Sequence, residues 1–301
     1  MNGAGPSAVA LAFAVALVVA ASATELSAQA GDLAGAKAEV YKTVGDVQLK
    51  LYIFTPADHK ATDRRPAIVF FFGGGFVKGS PTQFAQHCRY FASRGMVAIT
   101  ADYRVHDRHG TLPRDSILDG RDALRWVRAN ADRLGIDPQR IVASGGSAGA
   151  MIAACLGVIP TLDPESERHA VSYTPNAMVL FNPAGMGPEP PKRTPAGQKL
   201  FPKEILPYHF VREGLPPMIM FFGTEDRFLA PAQQFQKLAQ EKGNRCEVLT
   251  WEGVGHGFFN FGRQDNKFFL ETVAAADRFL ASLGYLSGEP TIAEFVKQID
   301  K

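Results

Sequence analysis

Apolar residues fall in short runs divided by polar or glycine-rich stretches, and the period of those runs alternates between strand-like and helix-like. Glu39–Val44 and Val47–Phe54 alternate about Gly45-Asp46, which predicts two strands joined by a two-residue turn. Ala67–Phe72 is apolar on both faces, as a central strand covered by helices on both sides must be. It ends in Gly73-Gly74-Gly75. Thr82 to Arg94 reads as a helix stopped by Gly95. A strand Met96–Ala101 and a polar loop through His109 come next. A long helix follows from about Asp115 to Leu134, with Ile117, Leu118, Leu124, Trp126 and Val127 at helical spacing. Strand Ile141–Ala143, helix Ala148–Ile159, strands Ala177–Phe181 and Met218–Phe222, helix Pro231–Lys242, strand Cys246–Trp251 and helix Lys267–Leu283 complete the series. The alternation predicts one α/β domain over residues 31–301, a mostly parallel sheet with helices on both faces.

Three segments break the rhythm. Residues 182–217 are rich in Pro and Gly without a period, and are expected to form a small lid-like excursion. Tyr285–Lys301 is a short appendage, read as one helix. Ala8 to Ala21 is almost continuously apolar, and Ser27-Ala28-Gln29-Ala30 places small residues where a signal peptidase reads. Residues 1–30 are therefore expected to be a signal peptide, cut after Ala30 or less favourably after Ala23, with export to the periplasm or beyond. The run falls short of the ~18–20 apolar residues that span a bilayer, so no stable membrane anchor is expected.

The composition is that of a packed protein: 46% of the 301 residues are hydrophobic and 22 are Phe. A formal net charge of +2 with no Lys/Arg run argues against nucleic acid as a partner. Cys88, Cys155 and Cys246 are too few for a disulfide framework and allow at most one bridge. Cys155 sits in an apolar helical run and reads as a small buried hydrophobe.

The chemistry concentrates in Gly145-Gly146-Ser147-Ala148-Gly149. This G-x-S-x-G lies between a predicted strand and a predicted helix, the context of a nucleophile elbow that holds Ser147 above the sheet. A phosphate-cradling loop would need Lys where Ala150 stands. A serine hydroxyl attacks only when a base takes its proton. Among seven His residues, only His256 lies in a loop beyond the final strand, within Gly255-His256-Gly257-Phe258. The acid that orients such a His should follow strand Met218–Phe222, where Glu225 and Asp226 are both available. Developing negative charge on a carbonyl oxygen would rest on the amide of Ala148 and on amides of the Gly73-Gly74-Gly75 loop. His106-Asp107-Arg108-His109 hints at a metal, but no further ligands accompany it, so no metal or cofactor is expected.

These residues resemble the hormone-sensitive-lipase-like branch of the α/β-hydrolase esterases, including secreted acetyl-xylan-esterase-like and feruloyl-esterase-like members. The resemblance runs from about Glu39 to Leu283. It is carried by Gly73-Gly74-Gly75-Phe76, Asp102-Tyr103-Arg104, Trp126-Val127-Arg128, Gly135-Ile136-Asp137-Pro138, the Ser147 motif, Gly223-Thr224-Glu225-Asp226 and the His256 motif. It implies an α/β-hydrolase fold and a triad of Ser147, Asp226 and His256. It also implies oxyanion donors at Gly74, Gly75 and Ala148. Phe72 departs from the pattern, because the family usually carries a His there that braces the loop by hydrogen bonding.

With the excursion, Phe76, Phe228 and Phe258 are expected to rim an aromatic pocket. A short lid and export suit a small-molecule or carbohydrate-linked ester, such as acetyl or feruloyl groups on plant polysaccharide. The same machinery could cut amides, as an arylformamidase or peptidase does. A catalytically dead hydrolase fold used for binding is the remaining alternative.

Overall fold

The computed structural model describes residues 33–163, 170–190 and 201–299. The chain divides into two units at Ala36/Lys37. Of the first, Leu33–Ala36 forms a turn closed by the Ala36 N–H on the Leu33 carbonyl. The expected signal peptide, residues 1–30, lies outside the described residues, as do 191–200 of the excursion. The unit from Lys37 onward is the one that matters here.

Among the described residues its strands are β1 (Lys37–Val44), β2 (Val47–Phe54), β3 (Arg65–Phe71), β4 (Val97–Ala101), β5 (Ile136–Gly146), β6 (Ala177–Phe181), β7 (Met218–Gly223) and β8 (Cys246–Trp251). They form one sheet in the order β1-β2-β4-β3-β5-β6-β7-β8. The β1/β2 hairpin and the β2/β4 pair are antiparallel, and every pair from β4 to β8 is parallel. The helices are α1 (Ala85–Ser93), α2 (Pro113–Ala129), α3 (Ala148–Val158), α4 (Leu229–Glu241), α5 (Lys267–Ser282) and α6 (Ile292–Ile299).

Alternation along β3 divides the core in two. Ala67, Val69 and Phe71 join one apolar cluster with Ile117 and Leu124 of α2, Ile152 of α3 and Phe235 of α4. Phe70 points the other way, stacking on Phe84 at 4.8 Å and lying near His87 and Phe91 of α1. Phe269 of α5 meets His87 edge-on, so α1 and α5 share that face. A strand covered on both faces has no place for a polar side chain, which is why β3 reads as unbroken hydrophobe.

Three boundaries differ from the sequence expectation. The helix expected to reach Leu134 stops at Ala129, where the Asn130 amide caps the Trp126 carbonyl and the chain turns through Gly135 at φ +60°. β5 begins at Ile136, five residues earlier than expected, because Ile136 pairs with Arg65 before the apolar stretch starts. The loop expected through His109 contains one helical turn, His106–His109, ended by Gly110 at φ +64°. Cys88, Cys155 and Cys246 are buried free thiols, and burial raises the pKa of each.

Candidate active site

The parallel strands deliver their following loops to one end of the sheet, and those after β3, β5, β6, β7 and β8 meet there. After β5 the chain turns directly into α3 through Ser147, whose φ of +53° and ψ of −112° are strained for a residue with a side chain. The Ser147 N–H is held by the Phe181 carbonyl at 2.9 Å, and its carbonyl accepts from Met151 and Ala184. The neighbouring strand leaves no slack, since a Cβ at Gly149 would come within 2.0 Å of the Phe71 carbonyl oxygen. The glycine spacing is thus forced by the approach of β3 to the bend.

The loop after β8 brings His256 back over this bend. Its Nε2 lies 2.8 Å from Ser147 Oγ, and its Nδ1 lies 2.7 Å from Asp226 Oδ2. A carboxylate can only accept, so Nδ1 carries the proton and Nε2 offers its lone pair to the serine hydroxyl. The His256 side chain is 38% exposed while Asp226 is buried, so water and small molecules can reach the ring and the acid stays dry. Asp226 Oδ1 also accepts from the Phe228 N–H at 3.0 Å. Glu225, the other acid left open by the sequence, is exposed; its N–H donates to the Val254 carbonyl.

The loop after β3 packs on the same bend. A Cβ on Gly73 would lie 3.0 Å from the Gly146 carbonyl oxygen and 3.5 Å from Ser147 Cβ. The Gly73 N–H is committed to Gln83 Oε1 at 2.6 Å, while Gly74 and Gly75 are exposed. Gly74 has φ +126°, and its carbonyl accepts from the Val77 and Lys78 amides, which closes the turn. Phe72 is fully buried. Its ring stacks on Tyr103 with centroids 4.0 Å apart, and the Tyr103 hydroxyl donates to the Phe72 carbonyl at 2.6 Å. Burial pushes the Tyr103 phenol well up, which keeps it a donor.

The three aromatic residues expected at the rim separate. Phe228 is half-buried and meets the His256 ring edge-on at 5.3 Å, with the Arg227 guanidinium 4.7 Å above its own ring. Phe76 does not line a rim as expected: it is 3% exposed at φ +64°, belongs to the core cluster and packs on Phe201 of the excursion at 5.8 Å. Phe258 is a correction: it is 3% exposed and packs among Trp251, Phe259 and Phe268, which makes it core.

Four polar residues around the site are given no role there by the sequence, although Tyr103 stands in one of the motifs that carry the resemblance. Gln83 and Tyr103 hold the glycine loop. Asn260 Nδ2 donates to the Gly257 carbonyl. Asn182, buried at φ +38° directly after β6, sets its Nδ2 2.6 Å from Nδ1 and 3.0 Å from Nε2 of His256. Only its place at a strand end could have flagged Asn182. Among the described residues no three His, Cys, Asp or Glu side chains gather to hold a metal. His109 Nδ1 instead accepts from the Val105 N–H.

Fold and site together define an α/β hydrolase. The BD-FAE family model matches residues 51–180. Esterase LipC of Mycobacterium tuberculosis is 26% identical over 65% of this chain and 54% of its own length. Carboxylesterase NlhH of the same organism is 24% identical over 73% of this chain and 74% of its own. The chain thus spans about half the length of LipC. Esterase 2 of Thermogutta terrifontis, solved in its apo form, is 48% identical with a TM-score of 0.81, covering 85% of this chain and 98% of that one. That esterase has also been solved phosphorylated by paraoxon and with propionate or butyrate bound. The chain belongs to the α/β-hydrolase carboxylesterases, in their hormone-sensitive-lipase-like branch.

Proposed function

We propose that this protein hydrolyses short-acyl carboxylic esters through an acyl-enzyme on Ser147. His256 takes the hydroxyl proton as Ser147 attacks the ester carbonyl, and Asp226 holds the imidazole in the correct tautomer and stabilises its cation. The amides of Gly74, Gly75 and Ala148 receive the oxyanion. His256 then protonates the leaving alcohol, and a water activated by the same imidazole releases the acid. The observation that carries this reading is the unbroken relay of 2.8 Å and 2.7 Å from Ser147 through His256 to Asp226.

The short-acyl preference draws support from the butyrate and propionate bound to Thermogutta terrifontis esterase 2. An acetyl group on plant polysaccharide falls in this size range, with the sugar as leaving alcohol; a feruloyl group, with its aromatic ring, is the bulkier acyl alternative. Export, supported by the apolar run Ala8–Ala21 and the Ser27–Ala30 segment, would bring the enzyme to such substrates.

The test is turnover of aryl esters of increasing acyl length by the purified protein and its Ser147→Ala variant. Acetyl to butyryl esters should be preferred, and the variant should lose ~10⁶-fold. Full turnover by Ser147→Ala would refute the nucleophile. Faster cleavage of N-formylkynurenine than of any ester would point to an amide hydrolase instead.

A further inference from the structure

Three hydrogen bonds run head to tail beside the serine bend. The Gly73 N–H donates to Gln83 Oε1 at 2.6 Å, Gln83 Nε2 donates to Asn260 Oδ1 at 2.8 Å, and Asn260 Nδ2 donates to the Gly257 carbonyl at 2.8 Å. The line starts in the loop that presents Gly74 and Gly75 and ends on the residue after His256. Those loops follow β3 and β8, which are not neighbours in the sheet.

Polarity fixes the arrangement. A backbone donor sets one end and a backbone acceptor the other, so each amide has one orientation that satisfies every bond. Turning either by 180° opposes two donors or two acceptors. Gln83 is itself anchored at both sides. It sits in the 3₁₀ turn Pro81–Phe84, where Ser80 Oγ accepts from the Thr82 N–H and the buried Thr100 hydroxyl donates to the Pro81 carbonyl at 2.9 Å. Its amide lies flush with the bend, since a Cβ at Gly146 would come 3.6 Å from Gln83 Nε2.

We infer that Gln83 and Asn260 form a clamp that holds the oxyanion donors in register with the imidazole of His256. The inference rests on the esterase reading above. Neither side chain touches the ester. They are positioning residues, acting through Gly73 and Gly257. Preorganised donors work only if they already stand where charge develops, and their direction is set by the rigid peptide planes that follow Gly73. Tying Gly73 to Gln83 fixes those planes, and tying Gln83 through Asn260 fixes them relative to the base.

The experiment measures phenyl acetate turnover and trifluoromethyl-ketone inhibition for the full chain, Gln83→Leu, Asn260→Leu and the double variant, with melting temperatures alongside. Each single variant should lower kcat by ~10-fold or more with KM changed by less than about twofold, and the ketone, whose adduct is an oxyanion, should bind more weakly by the same factor. The double variant should be no worse than the poorer single, because either break opens the whole line. Losses that multiply in the double variant, that appear in KM, or that are absent from both singles would overturn the clamp. If Gln83→Leu does not fold, Asn260→Leu reads the same line from its other end. An inactive wild type overturns the esterase reading and the clamp with it, whereas an active wild type with unaffected variants overturns the clamp alone.

Discussion

The Tyr103 hydroxyl donates to the carbonyl of Phe72 while the two rings stack face to face, 4.0 Å apart. The segment before the three glycines is thus held from below by one aromatic pair and one buried hydrogen bond. This is the position where the resemblance read from the sequence implies a His, and Phe72 stands there instead. Tyr103 is in turn fixed by its own neighbours. Arg104 grips the fully buried Asp119 through Nε and Nη2 at 2.8 Å each, and Asp119 also receives Lys42.

Tyr103→Phe keeps the stack and deletes the bond, leaving the buried Phe72 carbonyl short of a partner. The expected cost is about 1–2 kcal/mol of stability with a several-fold fall in kcat. Urea unfolding and phenyl acetate kinetics check both. An unchanged midpoint would show that the stack alone holds the loop.

Gly74 and Gly75 should respond differently to alanine. A Cβ at Gly74 would stand 1.9 Å from the Lys78 carbonyl oxygen at φ +126°, so the turn must break. At Gly75, φ is +66° and nothing lies within 4 Å of a Cβ. Gly75→Ala should therefore cost only about 1 kcal/mol for the left-handed backbone and keep measurable turnover. Gly74→Ala should lose turnover and melt earlier. Equal melting temperatures for the pair would contradict this reading of the turn.

Asp226→Asn should lower kcat by ~10⁴-fold, because an amide at that site favours the wrong imidazole tautomer. Glu225→Gln removes an exposed acid and should leave turnover within about twofold of wild type. Steady-state kinetics of the two variants side by side decide between the adjacent acids. A larger loss from Glu225→Gln would reverse the assignment.

His87 gives a pH prediction. Its ring is fully buried among Phe70, Phe84, Phe181, Phe259 and Phe269, and burial pushes its pKa down to about 3. The folded chain keeps it neutral, whereas the unfolded chain protonates near an ordinary His value of ~6.5. Below that pH the unfolded state binds one proton more, so stability falls as pH drops from ~6.5 toward 3, by about 1.4 kcal/mol per pH unit from this group. His87→Leu should flatten the part of the acid limb that this residue supplies, measured by urea unfolding at pH 6 and pH 4. Identical slopes for variant and wild type would remove His87 from the account.

Much of this was legible because burial on two faces leaves a simple trace. Apart from the first residues of β5, the described strands show as apolar or alternating runs, and Ser147, His256 and the acidic pair stand where parallel strands end. What was hidden depends on contacts between distant segments. Gln83 and Asn260 are 177 residues apart and share no period. The early start of β5 comes from pairing across to Arg65, which Asp137 and Pro138 disguise as a loop. Phe258 sits in a glycine-rich segment beside His256, and its local pattern does not reveal that the ring enters the core.

The excursion leaves from β6 and returns to β7, which are adjacent, parallel and paired from Met178↔Met218 to Phe181↔Phe221. Its two roots are therefore locked by the sheet, independent of what hangs between them. For an enzyme engineer the stretch beyond Ala184 is the natural place for a graft: Asn182 and Ala184 reach His256 and Ser147 and have to stay, whereas Ser147, Asp226 and His256 themselves stand on other loops.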